Sequence, residues 1–286
     1  MKVLILGSRG NLGTQLVKEF EHDYEVTAFD KEDIDITREK ELREKIEKVS
    51  PAIIINAVAY NAVDKCEGDD FNYDLAHKLN VLAVEYLVNI CLDMKIILVH
   101  YSSDYVFSGD TNHQSFKETD IPNPLNNYGK TKYLGEDKLI QGADRGLKYY
   151  LIRTSKLFGP LGSSPLTKPS FFDIMIDVAK EKEVVDVVDE ELSCFTYTVD
   201  LARSTRDIVK EKASFGIYHL INENPVTWYE ATLELFKLKG IGAKVNPVSS
   251  ESFRRPALRP KYSILLNTKF RKLRPWSEAL SEYLDK

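Results

Sequence analysis

Three glycines directly after the first apolar run constrain the fold more than any other feature of this sequence. Residues 3–6 are apolar, and the next seven residues carry glycine at the first, fourth and seventh positions, Gly7, Gly10 and Gly13. Glycine permits a tight turn and a close approach of backbone N–H groups to a pyrophosphate. Leu12 and Leu16 then recur at helical spacing. The pattern predicts a strand, a turn and a helix that bind a dinucleotide, with a purely structural turn as the alternative.

Strands and helices alternate through the first half of the chain. Strands are predicted at residues 24–29, 52–56, 96–100 and 149–153, and helices from Thr37, whose hydroxyl can cap the helix, at residues 75–92 and at residues 128–139. The polar residues 108–127 are predicted to form a loop. This alternation is typical of a doubly wound parallel sheet. We therefore predict an α/β, Rossmann-like fold with the NAD(P)-binding domain at residues 1–155.

Residues 156–286 are predicted to form mainly a smaller C-terminal substrate-binding lobe, with later segments returning to the first domain. The alternation is less regular here. Strands are predicted at residues 183–188, 216–220 and 243–248, helices at residues 199–209 and after Pro275, and an arginine-rich loop at residues 254–261.

Composition excludes several classes of function. The 286 residues carry a net charge of −5, and their basic residues are interleaved with acidic ones, so nucleic acid is not an expected partner. The three cysteines and five histidines show no metal-ligand spacing, and a disulfide framework is not expected. The apolar run at residues 3–6 is too short for a signal peptide or a membrane span. We predict a cytoplasmic protein with no metal and no membrane partner. Whether it forms a homodimer is left open by the sequence.

A tyrosine and a lysine four residues apart form the candidate catalytic pair. Tyr128 and Lys132 would share one face of a helix, and a neighbouring ammonium is expected to lower the pKa of the phenol. Ser103 follows the fourth predicted strand, at the sheet edge where ligands bind in such folds. Its hydroxyl can donate to a carbonyl oxygen that Tyr128 protonates. The alternative for the pair is a half-buried tyrosine beside a surface lysine, but the order of the motifs suits a nicotinamide-dependent carbonyl reductase.

Asp30 ends the second predicted strand, where an acidic side chain accepts hydrogen bonds from an adenosine ribose. A carboxylate repels a 2′-phosphate and favours NADH, whereas the nearby Lys31 and Arg9 favour NADPH. The sequence predicts NADPH or NADH and does not decide between them. An exposed turn residue is the structural alternative for Asp30.

The sequence resembles the dTDP-4-dehydrorhamnose reductases, which are extended members of the short-chain dehydrogenase/reductase superfamily. The resemblance covers nearly the whole chain. It rests on the glycine segment, residues 35–37, 55–60, 62–65, 100–107, 123–130 and 153–155, and Arg259 with Pro260. The Ser-Asp-Tyr-Val-Phe stretch after Ser102 and the Asn-Pro-Leu-Asn stretch before Tyr128 are its more specific parts.

The resemblance implies NAD(P)H-dependent reduction of the C4 keto group of dTDP-4-dehydro-L-rhamnose, a nucleotide-sugar substrate. It makes Tyr128 the general acid, with Lys132 lowering its pKa and binding the nicotinamide ribose, and Ser103 the carbonyl-binding group where the family usually has threonine. It implies substrate binding by Asp104 and by Arg259, the latter near the nucleotide diphosphate. The implied cofactor-binding residues are Gly7, Gly10, Asn11, Leu12, Gly13, Asp30, Asp35, Ile36, Ala57, Val58, Ala59, Tyr128 and Lys132.

One departure from the family pattern concerns the sugar. Lys156 stands where the family has a tryptophan that packs on the sugar, so a cation replaces a stacking surface. We expect Lys156 to bind substrate, either through a phosphate or through a different, acidic sugar. The loop after Gly159 and the residue Phe195 are also unusual. Gln15 stands where some relatives supply a magnesium-binding glutamate, so no metal is predicted.

Two alternatives remain at this point, and a third is disfavoured by the sequence. A dehydratase of this superfamily carries an adjacent Asp-Glu pair after the fourth strand, whereas Asp104 is followed here by Tyr105. A nucleotide-sugar 4-epimerase is not excluded by that test. A non-catalytic regulatory subunit with the same fold is also open, since fold does not settle function.

Overall fold

The structure is a computed structural model that describes residues 1–68, 70–110 and 114–285. Its strands are β1 (Lys2–Leu6), β2 (Glu25–Phe29), β3 (Ile53–Asn56), β4 (Ile97–Ser103), β5 (Ser115–Phe116), β6 (Tyr149–Thr154), β7 (Leu157–Phe158), β8 (Val184–Val188), β9 (Thr196–Tyr197), β10 (Gly216–His219), β11 (Lys244–Val248) and β12 (Ile264–Leu265). Its helices are α1 (Asn11–Phe20), α2 (Glu39–Val49), α3 (Asp70–His77), α4 (Ala83–Met94), α5 (Asn127–Asp144), α6 (Phe171–Glu181), α7 (Thr198–Lys210), α8 (Trp228–Lys239) and α9 (Trp276–Leu284).

The central sheet has six strands in the order β2-β1-β3-β4-β6-β10, and all neighbours are parallel. β1 and β3 are nearly continuous apolar runs, as expected for parallel strands covered on both faces. The chain leaves β1 to one side for β2 and returns to the other side for β3. Ligands bind at such a switch point, beyond the carboxyl ends of the strands. The predicted α/β fold with a doubly wound parallel sheet is confirmed.

Two apolar layers cover the sheet. On one face, Leu42 of α2, Leu87 of α4 and Leu139 of α5 are fully buried against the strands. On the other face, Leu16 of α1 and Leu201 of α7 are equally buried. Because α7 and β10 follow residue 155, the C-terminal part of the chain contributes to this domain, as the domain prediction allowed. The division at residue 155 otherwise stays a prediction.

The helix predicted at residues 75–92 is longer, since α3, a π-helical turn (Lys78–Leu82) and α4 follow one another. It is long and apolar enough to cross a membrane, but half of its most apolar 18-residue window is buried inside the protein, as in a core helix. The Asn80 side chain in the π turn bonds the backbone of Tyr60 and donates to the Thr131 hydroxyl at 3.0 Å. The turn thus connects the segment after β3 to α5.

A second core lies in the C-terminal part of the chain. Phe158, Phe172, Phe195 and Trp276 pack in one aromatic cluster between α6, α8, α9 and the paired strands β8 and β11. The unusual Phe195 is therefore a core residue, only 1% exposed.

Several local predictions need correction. Thr37 does not cap α2, because its hydroxyl donates to Asp35 instead, and the helix begins at Glu39 without a side-chain cap. The predicted loop at residues 108–127 contains β5, which pairs with β12, and residues 111–113 lie outside the described residues. Sequence reasoning missed α6 and α8, although Ser170 and Thr227 form capping boxes at their starts.

Candidate active site

The turn between β1 and α1 can hold a negatively charged group. Gly7 has a φ of +77°, and a Cβ on Gly13 would lie 1.9 Å from the Gly7 carbonyl oxygen, so both positions require glycine. Gly10 precedes α1 and supplies no side-chain cap. Among the described residues, no acceptor bonds the amide N–H groups of Asn11, Leu12 and Gly13. Free amides at a helix N-terminus suit the pyrophosphate of a dinucleotide.

A segment of the C-terminal part lies beside this turn. The Asn11 side chain accepts from the Gly162 amide at 2.8 Å and donates to the Lys168 carbonyl at 2.9 Å. A Cβ on Gly162 would be 2.2 Å from the Arg9 carbonyl oxygen. The unusual loop after Gly159 therefore packs directly on the glycine turn, a contact that sequence reasoning missed because the two segments are some 150 residues apart.

Asp30 lies next to the turn, as predicted. Its carboxylate accepts from the backbone amides of Arg9 and Lys31, both at 2.8 Å, and the side chain is buried. The Arg9 guanidinium lies 3.2 Å from the carboxylate of Glu32 and 3.9 Å from that of Asp33. The Arg9 guanidinium is thus near Glu32 and Asp33, whereas Asp30 accepts from backbone amides of the turn.

The remaining predicted cofactor-binding residues fall into two groups, residues 57–59 after β3 and residues 35–36 before α2. Ala57 and Val58 follow β3 and lie 3.1 Å from where a Gly7 Cβ would be, so this segment, with the exposed Ala59 after it, borders the glycine turn. Asp35 accepts from the Thr37 hydroxyl at 2.6 Å, which holds the Asp35 pKa below its ordinary value. Ile36 is buried in the apolar layer beneath α2.

The structure brings Ser103 and Tyr128 together. Ser103 ends β4, Tyr128 lies in the first turn of α5, and the Ser103 hydroxyl is near enough to the phenol to act on its pKa. Asn126 begins the helix by accepting from the Gly129 amide at 2.7 Å. A Cβ on Gly129 would lie 2.2 Å from the Tyr105 carbonyl oxygen, so α5 approaches the end of β4 closely. This places a hydroxyl and a phenol side by side at the carboxyl edge of the sheet.

The predicted lowering of the Tyr128 pKa by Lys132 is wrong for this structure. Burial raises the pKa of the phenol, and the hydrogen bond with Ser103 is the largest opposing contribution. The Lys132 ammonium instead donates to the Tyr101 carbonyl oxygen at 2.6 Å. A phenol with a raised pKa stays protonated at neutral pH but is a weaker acid, so it gives up its proton only as negative charge develops on the acceptor.

Lys132 is itself perturbed by its surroundings. Burial lowers the pKa of Lys132 to about 8, and the carboxylate of Glu136, one helical turn away, opposes that shift. Glu136 is fully buried and bonds Arg153 of β6 through both carboxylate oxygens, at 3.0 and 2.7 Å. This ion pair connects α5 to the sheet beneath the catalytic residues.

A small cleft opens beside the end of β4. It is lined by polar and charged groups, together with Tyr105, Leu192 and Pro260; the polar and charged residues are Asp104, Lys156, Glu191, Ser193, Arg259 and Ser263. Asp104 is 2% exposed and accepts from the Ser263 hydroxyl at 2.7 Å and the Ser103 hydroxyl at 3.1 Å. Burial raises the Asp104 pKa. The buried Ser193 hydroxyl has no hydrogen-bond partner among the described residues, which leaves it available to a ligand.

Lys156 reaches this cleft from a strained backbone, with a φ of +40°. Its ammonium lies 3.7 Å from the centre of the Trp228 ring and 3.5 Å from the Glu191 carbonyl oxygen. Burial lowers the pKa of Lys156 to about 8, and the charges of Asp104 and Glu191 oppose that shift. Lys156 is thus a half-buried cation that lines the same cleft as Asp104.

Arg259 lines the same cleft and is paired with Asp64. The two guanidinium Nη atoms lie 2.5 and 2.7 Å from the two carboxylate oxygens of Asp64. Hydrogen bonds from Arg259 hold the Asp64 pKa below its ordinary value. The pair joins the arginine-rich loop to the turn after β3, so all four predicted substrate-binding residues are brought to one region.

Sequence reasoning missed the centre of the cleft. Glu191 is 5% exposed, accepts from the Trp228 indole N–H at 2.9 Å and pairs with Arg255. Glu191 stands in an acidic run, Asp189-Glu190-Glu191, which has the pattern of a solvated turn. Only its contacts with residues that are far apart in sequence distinguish it.

Two further observations concern metals and thiols. Within the described ranges, no group of three or more His, Cys, Asp or Glu side chains is arranged to hold a metal ion. Cys66, Cys91 and Cys194 are free and buried.

Comparison with known proteins identifies the family of this chain. The family model described as RmlD substrate binding domain matches residues 1–286. A dTDP-4-dehydrorhamnose reductase of Aggregatibacter actinomycetemcomitans is 32% identical over 98% of this chain and 97% of that protein. The crystal structure of such a reductase from Clostridium acetobutylicum has a TM-score of 0.91 at 36% identity, covering 100% of this chain and 99% of the other. The enzyme of the same name from Bacillus anthracis, in complex with NADP, has a TM-score of 0.90 at 32% identity, covering 99% and 98%.

The epimerase alternative has weaker support. A UDP-glucose 4-epimerase of Thermus thermophilus in complex with NAD has a TM-score of 0.82 at 19% identity, covering 100% of this chain and 98% of the other, which is a likeness of fold alone. Several near relatives are named dTDP-4-dehydrorhamnose reductase, so the prediction of an oxidoreductase is confirmed over that of an epimerase. The chain belongs to the family described as RmlD substrate binding domain.

Proposed function

We propose that this protein uses NADPH or NADH to reduce the C4 keto group of a nucleotide-linked deoxysugar, with dTDP-4-dehydro-L-rhamnose as the first candidate. The observation that carries the proposal is the pair of side chains, Ser103 at the end of β4 and Tyr128 in the first turn of α5, at the carboxyl edge of the sheet. It lies between the glycine turn on one side and a charged cleft on the other. The names of the relatives support the same reaction.

The residues present fit a dinucleotide, because Gly7 and Gly13 have no room for a side chain and the amides of residues 11–13 have no acceptor in the described part of the chain. When bound, the reduced nicotinamide supplies the hydride to the carbonyl carbon. The Ser103 hydroxyl turns from Asp104 to donate its hydrogen bond to the carbonyl oxygen, and Tyr128 transfers its proton to the same oxygen as negative charge develops there. Tyr128 then regains a proton from solvent, so each reduction consumes one proton.

Lys132 is a cation close to this reaction centre. Its hydrogen bond to the Tyr101 carbonyl fixes the side chain before substrate arrives. We assign it to the nicotinamide ribose.

The cleft beyond Ser103 is the proposed substrate site. Asp104 is an acceptor for sugar hydroxyls, and Arg259 is the group for the diphosphate, because guanidinium matches phosphate oxygens. Lys156 contacts either a phosphate or a polar or acidic group of the sugar. With an ammonium at that position, a sugar other than rhamnose is the second candidate for the substrate.

Cofactor choice and cellular location belong to this proposal too. Asp30 favours NADH, whereas Arg9 at the same turn favours NADPH, and we propose that both cofactors are used. Three free, buried cysteines suit the reducing cytoplasm. A homodimer stays a prediction.

The test is to mix the protein with NADPH or NADH and a panel of dTDP-, UDP- and GDP-linked 4-keto-sugars, and to follow the nicotinamide absorbance. The proposal expects oxidation of the cofactor with at least one dTDP-sugar, and Tyr128→Phe should lower turnover by roughly 10²–10⁴-fold. Tyr133→Phe is the matched control on the same helix. No oxidation with any member of the panel would overturn the proposal and favour a regulatory subunit.

A further inference from the structure

The hydrogen bonds of Arg259 leave one edge of its guanidinium free. Both N–H groups of Nη1 are used, one on Asp64 Oδ1 and one on the Ala257 carbonyl oxygen at 2.7 Å. Nη2 donates to Asp64 Oδ2 at 2.7 Å. Arginine has five N–H donors, so the N–H of Nε and the second N–H of Nη2 remain. Neither has an acceptor in the described part of the chain.

These two donors lie parallel on one side of the planar guanidinium. Two parallel N–H groups form the fork that binds two oxygens of a phosphate or carboxylate. Arg259 lines the cleft next to Asp104 and Lys156, and only 12% of its side chain is exposed. The free edge is therefore held in a fixed orientation at a site that is largely shielded from water.

Asp64 sets that orientation. It lies in the turn Val63–Glu67 after β3, and its Oδ1 also accepts from the Ala257 amide at 3.2 Å. Asn126 at the start of α5 donates to the Leu258 carbonyl oxygen at 2.7 Å. The backbone on the N-terminal side of Arg259 is thus fixed from two elements of the first domain.

We propose that Asp64 is a positioning residue that presents the free edge of Arg259 to one phosphate of the nucleotide diphosphate, a role that rests on the proposed substrate site. Without Asp64, the guanidinium would be free to turn towards Glu191, whose charge already acts on Arg259 and whose carboxylate lines the same cleft. Arg259 would then be paired inside the cleft and lost to the substrate. The carboxylate of Asp64 therefore favours the binding of an anion, although both carry negative charge.

The experiment measures the affinity of the full-length protein for dTDP by calorimetry, in the variants Asp64→Asn, Arg259→Met and the double variant. Arg259→Met should weaken dTDP binding by roughly tenfold or more. Asp64→Asn should weaken it by roughly fivefold, because the Asp64 carboxylate is partly exposed and its pairing is screened. In the Arg259→Met background, Asp64→Asn should have no further effect. With the keto-sugar, Asp64→Asn should raise KM and leave kcat unchanged.

Glu190→Gln is the matched control, since it removes a carboxylate near the same loop that pairs with Lys261 at 3.9 Å rather than with Arg259. It should not weaken dTDP binding. Tighter binding in Asp64→Asn would overturn the proposal, because Asp64 would then compete with the phosphate. An equal loss in both backgrounds would overturn it too, since Asp64 would then act through the fold. Unchanged binding in Arg259→Met would instead remove Arg259 from the substrate site, and the role of Asp64 with it.

Discussion

The cofactor side and the substrate side of this molecule are built by different means. The glycine turn, the switch point of the sheet and the segment after β3 consist of backbone and small residues that must lie in close contact, as Gly13 does against Gly7. The cleft at Arg259 and Lys156 is built from charged side chains that pair over large separations in sequence, such as Asp64 with Arg259. The first kind of site depends on the turn of the chain. The second depends on which charges meet after folding.

The largest expected effect concerns the buried ion pair of Glu136 and Arg153, which lies beneath the catalytic residues between the two sides. Breaking the buried pair by Glu136→Leu should destabilise the protein by about 3–5 kcal/mol, because it leaves the Arg153 charge buried and unpaired. Chemical denaturation measures the free energy of unfolding. The double variant Glu136→Leu/Arg153→Met should be closer to wild type than the single one. A double variant that is less stable than either single variant would show that the pair itself stabilises the fold.

On the cofactor side, Gly13→Ala should cost about 1–3 kcal/mol and weaken NADPH binding, because the new Cβ would clash with the Gly7 carbonyl oxygen. Thermal unfolding and fluorescence titration with NADPH measure the two effects. The control is Gly146→Ala, where a Cβ meets no atom within 4 Å; its φ of +96° adds strain but leaves the turn untouched. Equal NADPH affinities in the two variants would contradict the assignment of the glycine turn to dinucleotide binding.

On the substrate side, Lys156→Ala should raise KM for the nucleotide sugar by roughly tenfold, because it removes a half-buried cation that lies over the Trp228 ring. Affinity for NADPH should stay unchanged, because the substitution affects the substrate side and leaves the cofactor side intact. Lys156→Met keeps the apolar stem and tests the charge alone. Unchanged affinity for the sugar nucleotide in both variants would remove Lys156 from the substrate site.

The two sides should also differ in their dependence on pH. Burial lowers the pKa of Lys132 to about 8, so its ammonium is present below that pH and is lost above it. If catalysis needs the cation, kcat should fall above about pH 8. Lys156 has a pKa lowered to the same value, and the Lys156→Met variant separates the two. The fall in kcat should persist in that variant, and its disappearance would assign the alkaline limb to the substrate side.

The difference between the two sides also explains how much was predictable. The sheet, the glycine turn and the positions of Tyr128 and Ser103 follow from local patterns, since periodicity and glycine spacing are written in neighbouring residues. Glu191 and the contact of Gly162 with Arg9 have no local signal, because they arise from segments that are distant in sequence. The same holds for the pKa of Tyr128, which burial controls and the nearby Lys132 does not.

The most direct test of the account is a single-turnover experiment that follows the nicotinamide absorbance in wild type and Tyr128→Phe, with NADPH and a dTDP-4-keto-sugar at saturating concentrations. The account predicts that Tyr128→Phe binds dTDP and NADPH as wild type does and slows the loss of absorbance by at least about 100-fold. Equal rates in the two proteins would contradict it, because the proton would then come from a group other than the phenol beside Ser103.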